Sequence, residues 1–430
     1  MRIGWATPFN ERSAISRFSR EVTVELARRG LAVEILRTET GEARNSPPLP
    51  TQLPVRDAAS LSVAVLRREF DLVVVNLGDS YRFHGGAMAI LPSIAALILF
   101  HDASMAGFSD HWARDAAAKP ETLAALVGAA TGENRGTGED QAMQLWKDLE
   151  WLGALAGGAV VHGDHYLAPI RAVSPGPVVK IPLAYPDPGP APQPTERAGG
   201  FLVTTIGHIN ANKQADRVIA ALGASARLVG SARHRLIGPI GENERERLLD
   251  LARQARIREP EFTGWVPEER LQALIGEADV ICCLRYPILE GGSASLITSL
   301  YSGRPVILPA AGAYAEVPDD LVLKVPYGTA LPELTQALEA VADDPAGAAA
   351  RAARAREWAV RTYSAKAYVD ALVPHMEACL GAAPAIAAGR GLGRMLAGLG
   401  VEATDPAAAR IGEVLAGFFS DRSASGALQG

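Results

Sequence analysis

Cysteine is scarce in this 430-residue chain: there are three, Cys282, Cys283 and Cys379. Two are adjacent inside an apolar run and none has metal-ligand spacing, which argues against a disulfide framework or a cysteine metal cluster and suits a reducing, cytoplasmic setting. Long apolar stretches are lacking too. The longest, 87–100, is interrupted by Pro92 and falls short of the roughly 20 residues a membrane span needs. The opening MRIGWATPF has neither the apolar core nor the cleavage site of a signal peptide. Positive charge is not in surplus: the formal net charge is −6 and no basic stripe is visible, so nucleic acid is not the expected partner. There is no HExxH run, no His-Asp-Ser arrangement, and no G-x-G-x-x-G after either opening strand, which argues against a Rossmann dehydrogenase.

What is there is a globular composition, 48% hydrophobic and 21% charged, at a length that suits two domains and hence a cleft. Short apolar runs alternate with amphipathic stretches, the pattern of parallel sheets with helices on both faces. Strands are predicted at 2–6, 32–36, 72–76, 96–100, 159–162 and 178–181. A helix is predicted over 16–29, where Phe18, Val22 and Leu26 recur every four residues. Five prolines between 185 and 200 prevent helix and sheet pairing and mark a linker. Strands resume at 201–206, 226–229, 235–237, 261–262, 280–284 and 305–308. The expected organisation is therefore 1–184, a linker 185–200, a second α/β domain 201–360, a helix 361–380 packing back toward the first domain, and a small-residue tail 381–430, helical or partly disordered.

Two segments carry chemistry. In TTIGHINANKQADRVIAAL, 204–222, an apolar strand ends at Gly207 and a polar loop with His208 and Asn212 leads to a helix starting near Lys213 or Asp216. A strand-to-helix turn at the carboxyl end of a parallel sheet offers backbone N–H groups and a helix N-terminus to a phosphate, and Lys213 adds a full charge. A solvated lysine on an ordinary loop is the alternative. In ADVICCLRYPILEGGSASLITSLYSGRPVILP, 278–309, a strand is followed by Arg285 and Glu290, then Gly291, Gly292, Ser293, Ala294 and Ser295 opening a helix. Glycines allow close ligand approach and serines supply caps and hydroxyls; capping alone would also explain the serines.

Together the order Gly207-His208…Lys213, Phe262-Thr263-Gly264-Trp265-Val266, Ala278-Asp279-Val280 and Glu290-Gly291…Ser302-Gly303-Arg304-Pro305-Val306 resembles the donor half of retaining glycosyltransferases of the GT-B fold, family 4. The resemblance covers about 201–318. It implies two facing Rossmann-like α/β domains with parallel sheets and an interdomain cleft, and a UDP- or GDP-sugar as co-substrate without a cofactor. Lys213 would contact the donor diphosphate, Glu290 the sugar hydroxyls, Gly264 and Val266 the base, and 291–295 the sugar and phosphates. Three departures stand out. His208 replaces an expected arginine, whose charge a protonated His208, Arg285 or Arg304 would have to supply. Thr298 replaces a second glutamate, the usual ribose ligand. LRYPILEGGSAS exchanges glutamate and glycine relative to a family subgroup, which shifts the register of Glu290.

The first half is less similar, as expected of an acceptor-binding domain. Residues 8–16 replace a glycine-rich loop, with Ser13 or Ser16 able to cap the following helix. His84 and Gly85 lie on a second loop, and 97–102 reads as a buried strand ending in His101 and Asp102. By the resemblance, His101 hydrogen-bonds the donor sugar; a strand-end histidine satisfied by Asp102 is the alternative. His162 and His165 read as structural or acceptor-lining. The Asp-x-Asp signature of the other main glycosyltransferase fold is missing, so metal independence is expected. The implied activity is hexosyl transfer to a glycan or lipid-linked saccharide, with peripheral contact at the inner membrane face left open. The rivals are a sugar-nucleotide 2-epimerase of the same fold and a non-catalytic nucleotide-sugar-binding or partner protein.

Overall fold

The computed structural model describes residues 1–117, 149–190, 199–328 and 331–401, with scattered positions between 405 and 414. The chain divides into two compact units, Met1–Ala184 with Tyr368–Gly430, and Tyr185–Ala367.

Unit 1 is built on a seven-stranded sheet, order β3-β2-β1-β4-β5-β6-β7, with every pair parallel. Its strands are β1 Arg2–Thr7, β2 Ala32–Arg37, β3 Val55–Asp57, β4 Leu72–Leu77, β5 Leu97–Phe100, β6 Gly158–Val161 and β7 Val178–Lys180. β4 and β5 are buried along their whole length because both sheet faces are covered, which is why they read as apolar runs with Asn76 as the single polar residue. Val73, Val75 and Leu77 enter one core cluster and Leu72 and Val74 the other, the two-residue alternation of a strand between two layers. The helix Ala14–Arg28 buries Phe18, Val22 and Leu26.

Unit 2 repeats the plan with six strands in the order β10-β9-β8-β11-β12-β13, again all parallel. They are β8 Leu202–Ile206, β9 Arg233–Ile237, β10 Glu261–Phe262, β11 Val280–Cys282, β12 Val306–Pro309 and β13 Leu323–Val325. The strand expected at 226–229 is instead a turn: the Ser225 hydroxyl accepts from the Leu228 N–H at 3.2 Å and donates to Glu339, which ends the helix Ala215–Ala224 and folds the apolar Leu228 into the core. β3 and β13, absent from the sequence reading, are three-residue strands at sheet edges. Too short for a periodic signal, they are carried by their ladders.

The loops after β8 and β9 meet backbone to backbone. Gly238 has φ +137°, and a Cβ there would lie 1.9 Å from the Gly207 carbonyl oxygen. Gly238→Ala therefore combines backbone strain with overpacking and should destabilise unit 2 by about 3 kcal/mol. A thermal midpoint within a degree of the parent would show that the loops can separate at no cost.

Of the proline-rich linker, 191–198 lie outside the described residues. Toward the C-terminus lie the helices Pro345–Thr362 and Ala365–Gly398. The second starts four residues later than expected and continues through the glycines of 381–398, beyond the anticipated end at 380. Its Tyr368, Val369, Leu372, Met376 and Cys379 belong to the unit 1 core, and His375 Nε2 donates to the Ala159 carbonyl at 3.0 Å. By length and composition the stretch Pro345–Gly398 could cross a membrane, since it contains an 18-residue window with a mean hydropathy of 1.3. Of the expected tail, 402–404 and 415–430 lie outside the described residues.

Candidate functional site

In an open parallel sheet, a ligand crevice forms at the carboxyl ends of the strands where the strand order reverses. In unit 2 that point falls between β8 and β11, the strands that carry the two segments singled out above. Their loops interlock. The Tyr286 N–H donates to the Asn212 carbonyl at 2.9 Å, Asn212 Nδ2 donates to the Pro287 carbonyl at 2.5 Å, and Arg285 Nη1 donates to Asn212 Oδ1 at 2.6 Å.

Lys213 closes a single turn, Ala211–Lys213, and Gln214 follows at φ 52°. The lysine is 5% exposed, and its Nζ donates to Ser295 Oγ at 2.8 Å. A Cβ on Gly207 would stand 3.0 Å from that Nζ, so the glycine leaves the ammonium its room. Burial brings the Lys213 pKa down to about 8, with Arg285 acting in the same sense and Cys283 and Glu290 against it. A buried ammonium bonded to a neutral hydroxyl, in the loop after a strand, can pair with an anion.

Glu290 is held from two sides: its Oε1 accepts from Arg285 Nε and from the Tyr314 hydroxyl, each at 2.7 Å. Ser293 caps the helix Ala294–Tyr301 by accepting from the Leu296 N–H at 3.3 Å. Its hydroxyl also lies 3.1 Å from Ser295 Oγ and 2.9 Å from the Tyr314 oxygen. Burial raises the Cys283 and Tyr314 pKa values, so both are neutral at pH 7.

Lys213, Asn212, Arg285, Glu290, Ser293 and Ser295 thus form one connected set with Gly207 beside it. Gly291 is buried and Gly292 and Ala294 are partly so. His208 is exposed on the β8 loop. Gly264 pairs with Gly238 in an isolated bridge, and Val266 packs against Ile206, Ile237 and Leu274. Thr298, expected at the ribose position, is 5% exposed and donates its hydroxyl to Tyr185 at 3.1 Å. Arg285, expected to stand in for a missing charge on the diphosphate, is already paired with Glu290 and Asn212. Tyr314 was not found from sequence: it is fully buried, follows β12 and belongs to none of the motifs.

In unit 1 the strand order reverses between β1 and β4. Asn76 on β4 organises this end: its Nδ2 donates to the Ala6 carbonyl at 3.1 Å and its Oδ1 lies 2.9 Å from His101 Nε2. His101 therefore donates through Nε2. Its partner is Asn76, not the neighbouring Asp102, which accepts from the Asp79 N–H at 2.8 Å. The His101 ring packs 4.8 Å from both Phe18 and His162, and burial holds its pKa well below 6.5. His84 Nδ1 donates to the Asn76 carbonyl and His162 Nδ1 to the Ile181 carbonyl, both at 2.9 Å; burial lowers each pKa to about 4. Ser13 occupies the N-cap position without a side-chain cap bond, whereas Ser16 Oγ accepts from the Asn10 N–H at 3.1 Å. Gly85 is buried, and a Cβ there would meet Thr40 and Tyr81. The residues expected to line an acceptor site are in large part engaged inside their own unit.

Comparison with known proteins agrees with this architecture. Residues 191–358 match the family model for glycosyl transferases group 1. No curated protein sequence matches the chain. Among solved structures, HepE from Anabaena in complex with UDP aligns at a TM-score of 0.60 and 13% identity, covering 88% of this chain and 100% of that one. Sucrose-phosphate synthase from Thermosynechococcus elongatus aligns at 0.58 and 17%, covering 87% and 98%. WaaG, a glycosyltransferase involved in lipopolysaccharide biosynthesis, aligns at 0.54 and 15%, covering 86% and 98%. The chain has the GT-B fold, and the match to glycosyl transferases group 1 falls within its second unit.

Proposed function

We propose that this protein is a retaining, metal-independent glycosyltransferase of family 4 that moves a hexose from a UDP- or GDP-sugar to a glycan or lipid-linked saccharide, in the cytoplasm or at the inner membrane face. The observation that carries the reading is the buried Lys213 ammonium at the β8/β11 switch point, joined to Ser295 and within the same network as Glu290. HepE, solved with UDP and with UDP-glucose, supports a nucleotide diphosphate as the ligand of this unit.

In the proposed reaction the acceptor hydroxyl oxygen bonds to the anomeric carbon on the leaving-group face. The bond from that carbon to the diphosphate breaks with its electron pair, and the acceptor proton passes to the departing diphosphate oxygen. Negative charge develops on the diphosphate, where fixed donors act most strongly. Lys213 and the amides of 291–295 supply them. Glu290, oriented by Arg285 and Tyr314, accepts from sugar hydroxyls. Unit 1 is assigned the acceptor.

A panel of UDP- and GDP-hexoses in excess chelator, with and without glycan acceptors, tests the reading through release of nucleoside diphosphate. Acceptor-dependent release supports transfer. Donor hydrolysis or conversion of the donor to its 2-epimer without acceptor identifies the epimerase, binding with neither a non-catalytic protein, and dependence on an added divalent cation contradicts the metal-free scheme.

The ionisation of Lys213 gives a further expected result. With a folded pKa of about 8, the lysine is largely neutral in the free protein at pH 9, and an anionic diphosphate favours the charged form. Binding should therefore take up protons near pH 8–9, and affinity should fall as pH rises through 8. Calorimetry at pH 8.5 in two buffers of different ionisation enthalpy measures the uptake, and Lys213→Met should abolish it.

A further inference from the structure

We propose that Tyr314 is a positioning residue that ties Glu290 to the hydroxyls of Ser293 and Ser295 beside Lys213, so that the sugar contact is held in register with the diphosphate contact. The inference rests on the function proposed above and deepens it.

The ends of the chain are a cation and an anion. An ammonium can only donate and a carboxylate can only accept. Lys213 Nζ donates to Ser295 Oγ at 2.8 Å. Ser295 lies 3.1 Å from Ser293 Oγ, which lies 2.9 Å from the Tyr314 oxygen, and Tyr314 donates to Glu290 Oε1 at 2.7 Å. The Tyr314 hydroxyl is directed at both Ser293 Oγ and Glu290 Oε1 and so holds the serine and the carboxylate together. Hydrogen bonds linked between a cation and an anion polarise one another. The burial of Tyr314, 0% exposed, leaves its hydroxyl no competing water. Ser293 ties the chain to the helix start through the Leu296 N–H, so the two donor contacts share one rigid mount. Phenylalanine at 314 keeps the ring and cuts one link; Glu290 keeps Arg285 but loses the hydroxyl that fixes its rotamer.

The test uses the full chain, the UDP- or GDP-hexose that it turns over, and the matching nucleoside diphosphate as binding probe. Tyr314→Phe should lower kcat roughly tenfold, the scale of one lost charge-assisted hydrogen bond, with the dissociation constant for the nucleoside diphosphate within about twofold of the parent. Ser293→Ala should lower kcat comparably. Adding Tyr314→Phe to it should cost less than about another twofold, because the chain is already cut. Ser293→Thr, which keeps the hydroxyl, should restore turnover. A Tyr314→Phe kcat within twofold of the parent would overturn the proposal, as would multiplicative losses in the double variant. If Tyr314→Phe fails to fold by thermal melting, the Ser293→Ala and Ser293→Thr pair decides alone. A parent chain that neither binds nor consumes any UDP- or GDP-hexose overturns the function beneath the proposal, an outcome separate from normal parent turnover with an unaffected Tyr314→Phe.

Discussion

Replacing Lys213 with alanine is expected to lower kcat/KM by about 10³-fold while leaving the thermal midpoint close to that of the parent. The two halves of this result have separate causes. The catalytic loss follows because Lys213 is the one full charge in the connected set at the β8/β11 switch point that is not paired with a carboxylate within that set: Arg285 is spent on Glu290 and Asn212. Stability is spared because opposing terms offset. Lowering a lysine from 10.5 to about 8 corresponds to a destabilisation of about 3 kcal/mol at neutral pH, and burying four methylenes contributes about 3 kcal/mol in the other direction. Steady-state kinetics and a thermal melt on the same preparation separate the two halves. Near-parent activity in a folded Lys213→Ala chain would remove the residue from the site.

Glu290→Gln should reduce kcat by about 10²-fold and change nucleoside diphosphate affinity by less than about threefold. The amide keeps one oxygen to accept from Tyr314 and Arg285 but loses the charge that strengthens bonds to sugar hydroxyls. Because Glu290 contacts the sugar and not the base or phosphates in this scheme, the loss should appear in turnover and not in binding of the nucleotide alone. Arg285, at 15% side-chain exposure, then lacks its counter-charge, and a loss of stability of about 2 kcal/mol, read as a lowered midpoint, is the structural side effect. An unchanged kcat with that lowered midpoint would make Glu290 a structural anchor of the β11 loop.

The sequence made these residues legible to different degrees, for physical reasons. β4 and β5 announce themselves because a strand covered on both faces has few polar side chains to interrupt it, Asn76 being the one here. Lys213 and the glycine-serine turn were legible because both directly follow buried strands, where a parallel sheet places its ligand loops. β3 and β13 were invisible because three residues cannot show a period. The turn at 226–229 was misread because Leu228 is apolar for the core while its backbone is shaped by Ser225, a local hydrogen-bonding effect that hydrophobicity does not report. Tyr314 and Thr298 were the least legible. Tyr314 meets Glu290 from 24 residues away, and Thr298 meets Tyr185 across 113; only the folded sheet brings either pair together. His101 was read as a donor-sugar ligand, with satisfaction by the adjacent Asp102 as the alternative; Asn76 on the neighbouring strand takes the imidazole instead of Asp102.

The most direct measurement is the thermal midpoint of the parent and Lys213→Ala chains with saturating UDP and, separately, GDP. At about a hundredfold excess over the dissociation constant, one of the two should raise the parent midpoint by about 5 °C and leave Lys213→Ala within a degree of its ligand-free value. An equal rise in both chains, or no rise in the parent with either nucleotide, would contradict a diphosphate site built on Lys213.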